Sequence, residues 1–294
     1  MLPQVLDSLE VERARGITIK AQTATMLYET GETSYLLNLI DTPGHVDFAY
    51  EVARSVQACE GALLLVDASQ GIQAQTLANY KLVQQANLSV IPVLTKIDLP
   101  HANPEAIKEQ LFTVLDIDPD TIIETSAKSG KGVDEILRGI VEKMGPPKIP
   151  EYVPNSTQRF EPDDSMMQIL DSWYDRHRGV ICLVKVARGK ITKGNFLKSV
   201  SGTNTYEIQE VGVLSPDRIP TPSLSAGHVG YLIAGMKSIK EVALGDTLYS
   251  SNLYLMRKMV LSHFIVQIQW YSLGSTQFKM MEWNSYVLPL TNYY

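Results

Sequence analysis

Short, nearly continuous apolar runs recur in the first half of the chain, at 35–43 (YLLNLIDTP), 61–69 (GALLLVDAS) and 88–98 (LSVIPVLTKID). Such runs are typical of parallel strands that are covered on both faces. A further strand is predicted at 121–128 (TIIETSAK). Three groups of apolar residues between the runs recur at the helical period and predict amphipathic helices. They are Ala49, Val52, Ala53 and Val56; Ile107, Leu111, Val114 and Leu115; and Val133, Ile136, Leu137 and Ile140. This alternation predicts a doubly wound α/β domain.

The pattern changes after a segment rich in proline, which begins at Gly145-Pro146-Pro147. Residues before proline are pushed towards extended conformations, so this segment is predicted to be a linker. Beyond it, short β-rich runs are separated by turns such as Arg188-Gly189-Lys190 and Lys193-Gly194-Asn195, and they predict a small antiparallel barrel. We therefore divide the chain into an α/β domain at 1–148, a linker at 149–163, a β-barrel at 164–250 and an atypical tail at 251–294 that we expect to be unstructured.

Composition narrows the class of protein. With 294 residues the chain can bury a sizeable core in about two domains. Its net charge of -6 argues against a free-standing nucleic-acid binder, although a local basic patch could still dock on a large RNA assembly. Cys59 and Cys182 match no metal-ligand spacing and are expected to be buried thiols.

Targeting and membrane signals are weak in this sequence. No uninterrupted apolar run approaches the ~18 residues that a spanning helix needs. The first residues, MLPQVLDSLE, do not have the Arg-rich, acid-poor composition of an organelle transit peptide. We therefore expect no transmembrane segment, and the sequence gives no import address.

The pentapeptide Asp41-Thr42-Pro43-Gly44-His45 stands where a buried strand is predicted to meet a helix. A phosphoryl-transfer site needs an acid at a strand end to hold Mg²⁺, here Asp41 through its water shell. It also needs a backbone N–H that reaches the γ-phosphate unobstructed, which Gly44 supplies. A lone histidine is usually structural, but within this pentapeptide His45 is predicted to lie beside the attacking water.

A second motif, Thr95-Lys96-Ile97-Asp98, follows the predicted strand VIPVL. A carboxylate at this place can accept hydrogen bonds from guanine N1–H and from the 2-amino group. Adenine offers no matching pair of donors, so Asp98 is predicted to select guanine. The aliphatic stem of Lys96 can lie over the base plane. Four residues of this kind often occur by chance, and it is the place after a strand that makes the motif specific.

Two weaker motifs complete the set. In Ser126-Ala127-Lys128, the Ala127 N–H can bond guanine O6, although Ser126 alone could equally be a helix cap. The segment Arg15-Gly16-Ile17-Thr18-Ile19 precedes the first strand. There a threonine hydroxyl can ligate Mg²⁺ in a loop that is ordered only with a nucleoside triphosphate. From the residues alone, Thr18 is as well explained as an ordinary strand residue.

These motifs in this order resemble the translational GTPases. Three longer stretches, QVLDSLEVERARGITIKAQTA, DTPGHVDFAYEVARSVQACEGALLLVDASQGIQAQT and GHVGYLIAGMK, are similar to the elongation factor 4 (LepA-type) family, and the resemblance covers about residues 4–250. It implies an α/β P-loop GTPase-like domain followed by an all-β barrel, translation-factor domain II, which meets the small ribosomal subunit. The implied activity is ribosome-dependent hydrolysis of GTP to GDP and phosphate, promoting the fidelity of protein synthesis on ribosome–tRNA complexes.

The resemblance also implies roles for individual residues. Thr18 and Asp41 would serve Mg²⁺, and His45 would position the attacking water. The GTP-binding set that it implies is Asp41, Thr42, Pro43, Gly44, His45, Thr95, Lys96, Asp98, Ser126, Ala127 and Lys128. Thr95 stands where the family usually has asparagine, and a threonine can make only part of that amide's tethering network.

Location and partners follow from the same resemblance. In eukaryotes the family acts in mitochondria, at the matrix face of the inner membrane, which implies peripheral membrane association. We also expect a monomer. A bacterial member would be cytoplasmic. A relative of elongation factor G or Tu is an alternative, although its flanking residues match less well. A fragment that keeps ribosome contact through the barrel without turning over GTP is a further alternative.

A phosphate-binding P-loop, GxxxxGK[ST], does not occur in these 294 residues. In the family this motif precedes QVLD, so we expect a chain truncated at both ends, without the first β-strand and the P-loop. The strands before Asp41 and Asp98 would then lack a shared neighbour. The triphosphate would also lack the nest of N–H groups and the lysine that hold its phosphates.

We accordingly expect the 294-residue polypeptide to bind GTP weakly or not at all. Titration of a fluorescent GTP analogue into purified, folded protein measures this directly. A micromolar dissociation constant would contradict the expectation.

Overall fold

The computed structural model describes residues 6–7, 9–151, 161 and 163–250, together with the backbone of 279–284. These residues form two compact units. One contains the described residues up to Pro146 and those of 279–284, and the other contains the described residues from Pro147 to Ser250.

The first unit is an α/β domain. Its helices are α1 (Glu10–Arg15), α2 (Ala49–Ala58), α3 (Ala74–Gln85), α4 (Pro104–Leu115) and α5 (Val133–Lys143). Its strands include β1 (Gln22–Thr30), β2 (Thr33–Asp41), β3 (Gly61–Asp67), β4 (Ser89–Thr95) and β5 (Ile123–Glu124). Strands β3, β4 and β5 are parallel, whereas β1 pairs with β2 as an antiparallel hairpin at the edge of the sheet. The predicted α/β fold is confirmed.

Local sequence explains where these elements begin and end. Helix α4 starts at Pro104, and the Asn103 side chain caps it by accepting a hydrogen bond from the Ala106 N–H at 3.3 Å. The predicted strand at 121–128 is reduced to two residues. It is preceded by the 3₁₀ turn Pro119–Thr121, and the chain leaves the sheet at Thr125. One face of the sheet packs on α5, with Leu37, Leu63, Ile91, Val93, Ile140 and Met144 in the core.

The second unit is built of antiparallel strands. They are β6 (Met166–Asp175), β7 (Gly179–Arg188), β8 (Lys190–Thr192), β9 (Phe196–Ser199), β10 (Thr205–Glu207), β11 (Glu210–Leu214), β12 (Arg218–Pro220), β13 (Ser223–Ser225), β14 (Val229–Ile233) and β15 (Thr247–Ser250). Eight of them form a sheet in the order β10-β9-β15-β6-β7-β14-β11-β12, and β13 pairs with β8. The turn between β7 and β8 is made at Gly189, whose φ of 75° suits glycine. The predicted antiparallel β domain is confirmed.

A strand from the tail completes the first sheet. Strand β16 (Lys279–Asn284) lies between β2 and β3 and is antiparallel to both, giving the order β1-β2-β16-β3-β4-β5. For these six residues the structure differs from the unstructured tail that we expected, and 251–278 and 285–294 lie outside the described residues. On this side, β2 was expected to have no neighbouring strand. In the structure the backbone of β16 pairs with it there. Strand β4, which precedes Asp98, is not next to this place because β3 intervenes.

The cysteines and helices bear on two further expectations. Cys59 and Cys182 are both buried and neither forms a disulfide, as the sequence predicts. Burial raises the pKa of the Cys182 thiol to about 12, so it stays protonated at neutral pH.

Among the residues that the structure describes, no helix has the length and apolar character needed to cross a membrane.

Candidate functional site

The loops that follow β4 and β5 lie side by side at one edge of the α/β sheet. The Thr125 N–H donates to the Leu94 carbonyl at 2.7 Å, and the Ile97 N–H donates to the Thr125 carbonyl at 3.4 Å. Because the carboxyl ends of parallel strands meet at the same edge, these bonds bring the Asp98 loop and the Ser126 loop together. The structure thus joins two of the predicted base-contacting motifs.

The Asp98 carboxylate is held by the neighbouring loop. The buried Ser126 hydroxyl donates to Asp98 Oδ1 at 2.6 Å and accepts from the Ser129 N–H at 3.2 Å. The hydrogen bond from Ser126 lowers the pKa of Asp98 below the ordinary aspartate value. Asp98 is itself exposed. An ionised carboxylate fixed at the surface is the acceptor that a guanine edge requires.

Lys96 is held by an acidic residue that the sequence motifs do not include. Its Nζ lies 2.8 Å from Asp67 Oδ2, at the end of β3, and Asp67 Oδ1 accepts from the Ser69 N–H at 2.8 Å. Burial opposes ionisation of Asp67, but the bonds from Lys96 and Ser69 outweigh it and lower the pKa of Asp67. The signal in the sequence was that Asp67 ends the strand before β4, in parallel register with Thr95.

The backbone at Lys96 is constrained as well. Lys96 has a φ of 59°, in the left-handed region that few residues other than glycine adopt. The preceding Thr95 hydroxyl donates to the Val66 carbonyl at 3.3 Å and so ties the end of β4 to β3. This single bond is consistent with the partial tether that we expected of a threonine at this position.

The loop of Ser126, Ala127 and Lys128 is closed by its own backbone. The Ser126 N–H donates to the Lys131 carbonyl at 3.0 Å, and the Gly130 N–H donates to the Ser126 carbonyl at 2.8 Å. Ala127 and Lys128 are exposed at the tip of this loop. The loop therefore presents Ala127 and Lys128 to solvent next to Asp98.

The pentapeptide from Asp41 to His45 begins at the last residue of β2. Asp41, Thr42 and Pro43 are buried, whereas the His45 side chain is 44% exposed. His45 Nδ1 accepts from the Asp47 N–H at 3.2 Å, and it lies 3.3 Å from Asp47 Oδ2. Nδ1 therefore lies within hydrogen-bond distance of both a donor, the Asp47 N–H, and an acceptor, the Asp47 carboxylate, and Asp47 holds this side of the imidazole ring.

Thr18 does not lie in an exposed loop. The residue is only 5% exposed, and its hydroxyl donates to Asp7 Oδ1 at 2.9 Å. The register of β1 against β2 pairs Gln22 with Asp41, so the segment that enters β1 lies at the same end of the hairpin as Asp41. The hydroxyl of Thr18 and the carboxylate of Asp41 are hard oxygen donors of the kind that Mg²⁺ prefers.

We expect Asp67→Asn to weaken the binding of guanine nucleotides by a factor of about three, because Lys96 would lose the partner that holds it. Lys96 is 60% exposed, so solvent screening limits the loss of stability to about 0.5 kcal/mol. The pKa of Asp67 is lowered in the folded state, so the stabilisation is present above the ordinary aspartate pKa and is lost as the pH falls below it.

Nucleotide titrations of the single and double variants test this prediction. In a Lys96→Met background, Asp67→Asn should have no further effect on affinity. Glu105→Gln is the matched control, since it removes the exposed ion pair between Glu105 and Lys108 on α4. If Asp67→Asn lowered the nucleotide affinity equally in the parent chain and in the Lys96→Met background, Asp67 would not act through Lys96.

Comparison with known proteins gives related sequences. Residues 2–146 match the family model of the elongation factor Tu GTP binding domain. The chain is 53% identical over 244 residues to the mitochondrial translation factor GUF1 homolog of Trichoplax adhaerens, which covers 83% of this chain and 36% of that protein. It is 52% identical over 245 residues to the human mitochondrial translation factor GUF1, covering 83% of this chain and 35% of the human protein. The chain thus spans little more than a third of the length of these relatives.

Solved structures support the fold. Translation elongation factor SelB from Methanococcus maripaludis, in complex with the GTP analogue GppNHp, has a TM-score of 0.62 and 22% identity, covering 80% of this chain and 50% of that one. A bacterial selenocysteine-specific elongation factor has a TM-score of 0.66 and 19% identity, covering 84% of this chain and 40% of that one. At these identities the likeness concerns the fold alone.

Proposed function

This chain belongs to the GUF1 (elongation factor 4) family of translational GTPases, and we propose that it supplies the guanine-binding and switch elements of a ribosome-dependent GTPase of mitochondrial protein synthesis. The observation that carries the proposal is the Ser126–Asp98 hydrogen bond, which fixes an ionised carboxylate beside the exposed loop of Ala127. A base edge with two adjacent donors fits this acceptor, and guanine has that edge.

The site residues take the following parts in this proposal. Asp98 accepts from guanine N1–H and the 2-amino group, the Ala127 N–H donates to guanine O6, and the Lys96 stem covers the base. Mg²⁺, when bound, would neutralise charge on the phosphates. Thr18 and Asp41 would supply oxygen donors for it, Asp41 through a water. The Gly44 N–H would meet the γ-phosphate.

His45 has a separate part. Asp47 holds the imidazole ring through Nδ1, so the other ring nitrogen, Nε2, is the one that would meet the attacking water. In this proposal His45 positions that water.

The second unit is proposed to be domain II, at 164–250, which meets the small ribosomal subunit. By family the whole protein would act on ribosome–tRNA complexes and promote the fidelity of translation. We place it in mitochondria because the relatives are named mitochondrial. Peripheral association with the matrix face of the inner membrane and a monomeric state complete the proposal.

Base selectivity and turnover test the two halves of the proposal. Ligand-observed NMR at millimolar GDP and ADP detects weak binding, and it should show saturation by GDP with little binding of ADP. Phosphate release from GTP should rise when mitochondrial ribosomes are added. Equal binding of GDP and ADP would contradict the guanine site. Guanine selectivity without ribosome-stimulated release would contradict the GTPase and favour a non-catalytic, ribosome-binding chain.

A further inference from the structure

Strand β16 fills the place between β2 and β3, the two strands that end at Asp41 and Asp67. It is antiparallel to both of them, so β2 and β3 run parallel to each other. All six residues of β16 pair with β2, but only Lys279–Met281 also pair with β3. The three residues at the start of β16 are therefore the ones that are held on both sides.

The direction of β16 decides which end of it meets the candidate site. Lys279, its first residue, is in register with Asp41 of β2 and with Leu63 of β3. Asp41 is the last residue of β2. Strand β3 continues beyond this level to Asp67, which binds Lys96. Strand β16 therefore enters the sheet at the edge where the candidate site lies, between the ends of β2 and β3.

This edge of an open α/β sheet is the place where ligands bind, outside the carboxyl ends of the parallel strands. A parallel strand ends there and leads into a helix, whose first N–H groups can bind a phosphate. Strands β2 and β3 follow this rule, since α2 and α3 come after them. The antiparallel β16 starts at the edge instead, so it brings polypeptide to the centre of the phosphate-binding edge. A nucleotide phosphate and the first residues of β16 therefore require the same space.

We propose that β16 is an autoinhibitory strand, whose first three residues compete with the phosphates of a guanine nucleotide at the carboxyl edge of the sheet. The competition is reciprocal, because a nucleotide that releases Lys279–Met281 from β3 must bind less tightly when these residues are paired. Among the described strands, Glu282–Asn284 pair with β2 alone, so they can stay in the sheet while the start of β16 leaves it. The inference rests on the proposed function for the identity of the nucleotide, and it adds a regulatory part for a segment outside both predicted domains.

Proline at position 281 tests the competition. Proline has no N–H for the ladder, so Met281→Pro should weaken the pairing of β16 with both neighbours. If β16 is paired in about nine-tenths of the molecules, its release should raise the apparent affinity for GDP about tenfold. Ligand-observed NMR of the full chain measures this change, with ADP as the comparison nucleotide. A strand that only supports the fold would give the opposite sign, because loosening β2 would disturb Asp41 and lower the affinity.

Two further variants of β16 serve as controls, and they keep the test informative if Met281→Pro fails to fold. Asn284→Pro makes the same change at the far end of the strand, which pairs with β2 alone among the described strands, and should alter the affinity for GDP much less. Met281→Val introduces a residue with a higher β-strand propensity. It should strengthen β16 and lower the affinity for GDP below that of the parent chain.

Amide hydrogen exchange of the parent chain gives an independent readout. Adding GDP should speed exchange at Lys279–Met281 without speeding exchange in β4, and ADP should have no effect. This inference would be overturned, with the guanine site left standing, if GDP bound selectively but Met281→Pro left its affinity unchanged or weaker, or if GDP slowed exchange at Lys279–Met281. A lack of selective GDP binding by every chain, Met281→Pro included, would contradict the guanine site as well.

Discussion

Replacing Asp98 with asparagine is expected to move the base preference of the site from guanine to xanthine. The carboxylate of Asp98 can accept from two donors, N1–H and the 2-amino group of guanine. An asparagine has one acceptor and one donor, so its amide group would meet the 2-amino group with a second donor. Xanthine has a carbonyl oxygen at that place and can accept from the amide. With guanine, the asparagine N–H₂ would face another donor, the 2-amino group. With xanthine, it would face an acceptor, the carbonyl oxygen, so the base preference should reverse.

The size of the change should be large because two hydrogen bonds to a charged group are affected. We expect GDP binding to fall by a factor on the order of 100, with xanthosine diphosphate bound better than GDP by the variant. Competition between the two nucleotides, followed by ligand-observed NMR, measures the ratio without requiring tight binding. This ratio is therefore measurable even if the polypeptide holds phosphates weakly.

Two variants serve as controls for Asp98→Asn. Asp120→Asn makes the same chemical change at an exposed acid in the 3₁₀ turn before β5 and should leave the preference for guanine intact. Ser126→Ala removes the hydroxyl that holds Asp98 Oδ1 and should weaken GDP binding without a gain for xanthine. If Asp98→Asn lowers the binding of both bases equally, Asp98 does not contact the base.

The sequence did not predict helix α3, and the residues that α3 buries show why. Its buried residues include Thr76, Asn79 and Val83, whereas Leu77 is 40% exposed. The buried face is thus marked by polar side chains, and the apolar period that predicts an amphipathic helix is absent. Helix α5 has the opposite pattern, with Ile140 in the core, and it was predicted.

Only the parts of the candidate site that have a local sequence motif could be predicted from the sequence. The Asp98 loop and the Ser126 loop each follow a strand, and parallel pairing brings them together, so their meeting followed from the fold. The side chains that bind Lys96 and Thr18 could not be predicted from the motifs or from the fold. Asp67 is 29 residues from Lys96, and Asp7 is 11 residues from Thr18 with a helix between them. The residues around Lys96 and Thr18 do not show these pairings, because the side chains meet only after the chain has folded. The place of Asp67 at the end of the strand before β4 indicates only that it lies at the same edge of the sheet as Lys96.

The loop geometry beside Asp98 depends on a glycine, and Gly132→Ala is expected to be strongly destabilising. Gly132 has a φ of 80°, and a Cβ placed there would lie 2.1 Å from the carbonyl oxygen of Glu124. That contact is with backbone of β5, which cannot rotate away as a side chain would. The loop or the start of α5 must shift, at a cost of about 3 kcal/mol in the free energy of unfolding.

Gly130 provides a matched control two residues earlier in the same loop. Its φ of 78° is nearly the same, but nothing lies within 4 Å of the place a Cβ would occupy. Gly130→Ala should therefore cost only the left-handed backbone conformation, about 1 kcal/mol. Urea denaturation of the three chains measures the difference between the two substitutions, and that difference isolates the steric contact from the backbone preference.

The steric shift should also reach the nucleotide site. The Ser126 N–H donates to the carbonyl of Lys131, the residue before Gly132, so a displaced Gly132 moves the serine that holds Asp98. We expect Gly132→Ala to weaken GDP binding under conditions in which the variant is still folded, and Gly130→Ala to leave it nearly unchanged. Equal effects of the two substitutions on stability would show that the left-handed φ alone sets the cost of alanine in this loop, and that the contact of the added Cβ with Glu124 contributes nothing to it.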